Sequence, residues 1–157
     1  MIYTFNFILC KDESGHSFYS LAVTEDGVLW AWGSNSSGQL GDGTNTNRYD
    51  PMRIMGDAMS VSAGAMHTMA ITEDNRLWAW GVNSTAQLGD GTNEHRRNPV
   101  HVMDDVVSVV VGDGHTLALT HDGILWGWGD NSDGQLGDGT TRNRNRPTRI
   151  MENVSVS

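Results

Sequence analysis

One stretch written three times constrains this chain more than any other feature. The fullest copy begins Leu125-Trp126-Gly127-Trp128-Gly129-Asp130-Asn131 and ends at Thr140; earlier copies begin at Leu29 and Leu77, with a period of 48 residues. A fixed period of about 20–50 residues marks a stack of supersecondary units, none of which can bury its apolar face alone. The fold has to be built from such units, and function sought in what the stack presents.

Within each unit the signals are those of β structure. Two short runs separated by Glu25-Asp26-Gly27, by Glu73-Asp74-Asn75 or by His121-Asp122-Gly123 predict hairpins near 17–33, 67–81 and 115–129, because Gly and Asn tolerate the positive φ of a tight turn. The tryptophan pairs Trp30/Trp32, Trp78/Trp80 and Trp126/Trp128 stand two residues apart and so share one face of a strand, with Ala31, Ala79 and Gly127 on the other. Large rings on one face and small residues on the other suit stacked sheets. Pro51, Pro99 and Pro147 recur at the same period, each opening a further strand where a missing amide hydrogen does least harm.

Four short strands per unit and no amphipathic helical period predict an all-β chain of propeller blades. Three repeats of 48 residues are too few to close a ring. The expected architecture is therefore one domain over residues 1–157, a partial ring or half of an oligomeric ring. The proline strand is missing before the first hairpin, and the chain reaches Val154 just where another hairpin would start. This predicts an incomplete unit at the two ends, and a homodimer that closes a ring of about six blades, residues 154–157 of one copy pairing near 2–9 of the other.

The motif Leu-Trp-x-Trp-Gly-x-Asn-x-x-Gly-Gln-Leu-Gly-Asp-Gly-Thr, with the preceding Gly-x-x-His-Thr-Leu-Ala-Leu-Thr-x-Asp-Gly of Gly112 to Gly123, resembles the repeat of the regulator of chromosome condensation family, of bacterial type. The resemblance covers nearly everything from Ser17 to Met151 and implies a β-propeller, usually of seven blades in one chain. It implies little about function, since the family includes a nucleotide-exchange factor for a small GTPase that also binds chromatin, a β-lactamase inhibitor, and surface or effector proteins. Exchange activity in the founding member depends on a wedge between repeats, for which the strict period leaves no room. Tyr19 in place of His67 and His115, Ala86 in place of Gly38 and Gly134, and an enlarged turn at Lys11 to Gly15 depart from the pattern.

Candidate sites are few. His67 and His115 repeat at one position and are read as structural, buried donors that fix backbone carbonyls, because equivalent residues of displaced blades do not converge on one ion. The acidic loop Asp130 to Gly134 misses calcium-loop spacing, with Gly134 fifth and Thr141 twelfth. Asp42, Asp90 and Asp138 are read as turn formers that also face an Arg. There is no catalytic set, no metal site and no cofactor motif, and the triplets at Asn35, Asn83 and Asn153 that match glycosylation acceptors are read as accidental.

What varies follows Thr44, Thr92 and Thr140. Arg48, Arg96 and Arg144 recur in phase, and Arg97, Arg142 and Arg146 do not; with Tyr49 and His95 they form the candidate partner-binding set. Six of the ten cations thus fall in three loops of a chain whose net charge is −9, a charge that argues against nucleic acid. The in-phase arginines are expected to pair with the turn aspartates and hold one unit to the next, while the others face a partner.

The expected function is a non-enzymatic protein-binding module, with GTPase regulation, carbohydrate or small-ligand binding through Tyr49, and a fragment of a longer propeller as alternatives. Ile2 to Leu9 reads as a first strand, too short for a membrane span and without the basic flank of an export signal. The compartment is unknown from sequence: cytoplasmic for a complete chain, extracellular or cell-surface for a piece of a longer one.

Overall fold

The computed structural model describes residues 6–11 and 17–155. Among these, three four-stranded antiparallel sheets follow one another along the chain, and no helix is long and apolar enough to cross a membrane. The first blade holds β1 (Asn6–Lys11), β2 (Ser17–Val23), β3 (Leu29–Gly33) and β4 (Arg48–Met55). The second holds β5 (Ala58–Ala63), β6 (His67–Thr72), β7 (Leu77–Gly81) and β8 (Arg96–Met103), and the third β9 (Val106–Val111), β10 (His115–Thr120), β11 (Leu125–Gly129) and β12 (Arg144–Met151). Each sheet is a simple meander in chain order.

The structural unit is offset from the sequence unit. Each blade begins on the strand before the hairpin and ends on the proline strand, so β1 completes the first blade. Ala22 faces Phe7 across β1–β2, just as Ala70 faces Val61 and Ala118 faces Val109. The described part of the segment expected to pair with another copy, residues 6–9, therefore already pairs within its own blade. Residues 2–5, the enlarged turn at 12–15 and residues 156–157 lie outside the described residues.

The hairpins close as the turn chemistry dictates. Gly27, Asn75 and Gly123 adopt φ of 79°, 62° and 78°, a region costly for side chains other than Gly and Asn. The Thr24, Thr72 and Thr120 hydroxyls donate to Asp26, Asp74 and Asp122 at 2.5, 2.5 and 2.6 Å. The first tryptophan of each pair is tied to the same turn: Trp30, Trp78 and Trp126 Nε1 donate to those threonine hydroxyls at 3.2, 3.3 and 3.0 Å.

Strand alternation gives every blade a leading face, which carries the tryptophan pair, and a trailing face of aliphatic residues. Leu21, Leu29 and Leu40 of the first blade cover Trp78, Trp80 and Ala70 of the second. Met69, Leu77 and Leu88 of the second cover Trp126, Trp128 and Ala118 of the third. Trp80 and Trp128 are fully buried there. At about 25 cal/mol per Å², a ring that buries roughly 200 Å² contributes on the order of 5 kcal/mol. The cores of this chain thus lie between blades rather than within them.

Candidate functional site at the blade loops

The long loop between the third and fourth strands of each blade is built around one asparagine. Asn35, Asn83 and Asn131 are fully buried, although Asn is a residue that ordinarily prefers water. Asn83 Nδ2 donates to Asp90 Oδ1 at 3.1 Å and to the Thr92 and Glu94 carbonyls at 2.9 and 3.0 Å, while its Oδ1 accepts the Leu88 amide at 3.0 Å. Asn35 and Asn131 repeat these contacts. A buried amide that saturates both of its ends fixes the loop it crosses. Residue type alone suggests no more than a turn at these positions, because Asn favours turns locally and the bonds to residues seven to eleven positions on leave no periodic trace.

The in-phase arginines belong to this scaffold. Arg48, Arg96 and Arg144 Nε each donate to Asp42, Asp90 and Asp138 at 2.7 Å, and the aspartate side chains are only 5–7% exposed. Burial alone would raise the Asp42 carboxyl, but bonds from the Thr44 hydroxyl and Arg48 outweigh it and hold the group below the usual carboxylate range; Asp90 is held down in the same way by Thr92 and Arg96. For Asp138 the Thr140 hydroxyl is the largest cause, followed by Arg144. The pairing with turn aspartates is real, but it lies inside one loop and does not link units.

Units are linked through the residues that follow. The Gly43 amide donates to the Arg97 carbonyl at 2.9 Å and the Gly91 amide to the Asn145 carbonyl at 2.7 Å. A Cβ placed on Gly38 would strike the Arg97 backbone at 2.8 Å, and one on Gly91 the Arg146 guanidinium at 2.5 Å. The Gln39 carbonyl of the first blade accepts Trp80 Nε1 at 2.9 Å and the Thr68 hydroxyl at 3.0 Å from the second. Gln87 repeats this with Trp128 and Thr116 of the third, at 3.0 and 2.9 Å.

Of the candidate partner-binding residues, His95 and Arg142 are exposed in the loops, whereas Tyr49, Arg97 and Arg146, expected in loops, are exposed near the starts of β4, β8 and β12; the three arginines among them form no ion pair with a described carboxylate. Arg48, Arg96 and Arg144 open β4, β8 and β12 and are half-buried against the loops that precede them. The set divides into three arginines pinned by aspartates and three without an ion pair among the described residues, of which Arg146 lays its guanidinium against Gly91 of the preceding blade.

His67 does not do what its position suggests, and His115, at the same position, is half-buried rather than buried. Tyr19, at the same register in the first blade, donates its hydroxyl to the His67 carbonyl at 2.9 Å. His67 itself is fully buried, and neither of its ring nitrogens has a hydrogen-bonding partner among the described residues. Its burial, and then the nearby charge of His115, push the imidazole down to about 4. Among the described residues no cluster of three metal-ligating side chains is present.

This geometry matches a known repeat. The profile of the Regulator of chromosome condensation (RCC1) repeat fits residues 26–71, 74–119 and 122–157. The chain belongs to the regulator of chromosome condensation repeat family. A curated relative, the mitochondrial RCC1 domain-containing protein RUG3 of Arabidopsis thaliana, is 43% identical over 37 residues, 24% of this chain and 8% of that one. Several solved structures share the fold. Prp20p from Saccharomyces cerevisiae, described with its binding to Gsp1p and histones, gives a TM-score of 0.74 at 24% identity, over 87% of this chain and 37% of that one. Yeast RCC1 (Prp20) bound to Kap60 gives 0.75 at 24%, over 87% and 36%. Human WBSCR16 gives 0.50 at 19%, over 87% and 52%. The chain thus spans about a third to a half of these structures, and its described residues form three blades of a partial ring.

Proposed function

We propose that the chain is a non-enzymatic protein-binding module that works as one domain over residues 1–157 and reads its partner with the loop rim. The observation that supports this reading is the division among the loop arginines: three are consumed by buried aspartates of the scaffold, and Arg97, Arg142 and Arg146 are not. Guanidiniums carried by a rigid blade, Arg142 on its loop and Arg97 and Arg146 at the starts of β8 and β12, present donors to carboxylates of a protein surface. Prp20p is described with protein partners, which supports a protein as the class of ligand. The chain carries no ring on its own, and two copies closing one of about six blades is part of the same proposal.

The test is capture from a lysate at graded salt by the unmodified chain and by the R97Q/R142Q/R146Q variant. Loss of the captured proteins in the variant, and their release from the unmodified chain by salt, is expected. Capture unchanged by the three substitutions overturns the assignment of the rim.

A further inference from the structure

Each joint between blades has a leading half and a trailing half, and among the described residues one of each lies open. In the two joints it makes, a tryptophan of the leading face lies over a loop glycine. A Cβ on Gly41 would come within 2.7 Å of Trp80 Nε1, and one on Gly89 within 2.6 Å of Trp128 Nε1. The equivalent Gly137 has positive φ, which is reason enough for glycine there, so the difference lies in what covers it: only Ile150 of its own blade, at 3.7 Å. Nothing lies within 4 Å of a Cβ on Gly139, and Gly134 meets only its own loop. On the same trailing face Leu117 and Leu125 are half-buried where Met69 and Leu77 are fully buried, and Val110 is 65% exposed.

At the other end the leading face of the first blade offers the missing half. Trp32 is half-buried where Trp80 and Trp128 are fully buried. Ser20 stands opposite it, as Thr68 stands opposite Trp80 and Thr116 opposite Trp128, so the hydroxyl that joins the indole on a glutamine carbonyl is kept. Tyr49 occupies the place of Arg97, whose carbonyl takes the Gly43 amide and whose backbone covers Gly38; it is 92% exposed.

We infer that a second copy of this chain docks head to tail on the first, seating Trp32 of one copy over Gly137 of the other. The Trp32 indole and the Ser20 hydroxyl then share the Gln135 carbonyl, the Gly139 amide meets the Tyr49 carbonyl, and Val110 is covered. The occupant is a second copy because the two internal joints show what each half accepts, and this chain carries both halves. The inference rests on the partial-ring reading above and names the contacts that complete it.

Sedimentation at micromolar concentration tests it with three proteins: the unmodified chain, Trp32→Ala and Val110→Asp. The unmodified chain is expected at twice its 17.1 kDa, and each variant alone at the mass of one chain. An equimolar mixture of the variants is expected to regain the double mass, since the leading face of one and the trailing face of the other make one undamaged joint. General damage to folding would not be repaired by mixing. If Trp32→Ala fails to unfold cooperatively, Tyr49→Asp, at a fully solvated ring, takes its place. A single-chain mass for the unmodified protein, or a variant that assembles as the unmodified chain does, overturns the inference. A monomer whose capture still depends on the rim arginines would overturn the joint and leave the rim reading standing.

Discussion

Acid should weaken this fold over a window set by one buried side chain. His67 is fully buried and titrates near 4, against an ordinary value of 6.5. The unfolded chain therefore takes up a proton at this residue before the folded chain does. Stability is at full strength above pH 6.5, falls as pH drops toward 4, and is insensitive to this group below that. A shift of two to three units corresponds to about 3 kcal/mol in all, of which about 2 kcal/mol is gone by pH 5. The depressed carboxyls of Asp42, Asp90 and Asp138 act elsewhere: their stabilisation is present above their ordinary value of 3.8 and lost only as pH falls further. Urea unfolding followed by tryptophan fluorescence, from pH 7.5 to 4.5 at one protein concentration, reads the slope directly. His67→Tyr installs the residue that the first blade uses at this register and removes the titration. It should flatten the slope in that window, whatever its effect on stability at pH 7.5. Equal slopes in the two proteins would refute the reasoning.

Two further outcomes follow from the loop and joint contacts. Asn83→Ala strands the Leu88 amide, the Thr92 and Glu94 carbonyls and the Asp90 carboxylate, and should cost at least about 3 kcal/mol of unfolding free energy in urea. Trp128→Phe keeps a ring in the joint but loses the bond to the Gln87 carbonyl, for a loss of about 1–2 kcal/mol by the same assay; Trp126→Phe, half-buried and bonded to its own hairpin, should cost less than that.

Much of the fold is legible in the sequence because the repeat fixes which residues are equivalent. The 48-residue period, the hairpin turns at Gly27, Asn75 and Gly123, and the two-residue spacing of the tryptophans carry the reader to stacked antiparallel blades. Where one unit ends is not legible, since a period has no origin; the pairing of β1, β5 and β9 with the hairpins that follow them places the boundary. The site was less visible for a related reason. Periodicity shows that Arg48, Arg96 and Arg144 are equivalent but not whether their partners lie within a unit or across one, and only the 2.7 Å contacts inside each loop decide it. The same limit hid Asn35, Asn83 and Asn131, whose residue type suggests a turn while their burial makes them the centre of the loop. Tyr19 and His67 share a register yet differ in role, because the tyrosine hydroxyl reaches a carbonyl of the next blade and the imidazole of His67 finds none.

The loops separate into a scaffold that repeats and a surface that varies. Urea midpoints of Arg96→Gln and of the double variant R97Q/R142Q measure that separation within neighbouring residues. Arg96→Gln leaves the 7% exposed Asp90 carboxylate without its cationic partner and should lose about 1–3 kcal/mol, while the double variant should stay within about 0.5 kcal/mol of the unmodified chain. A double variant as damaged as Arg96→Gln, or an Arg96→Gln chain as stable as the parent, would contradict the account.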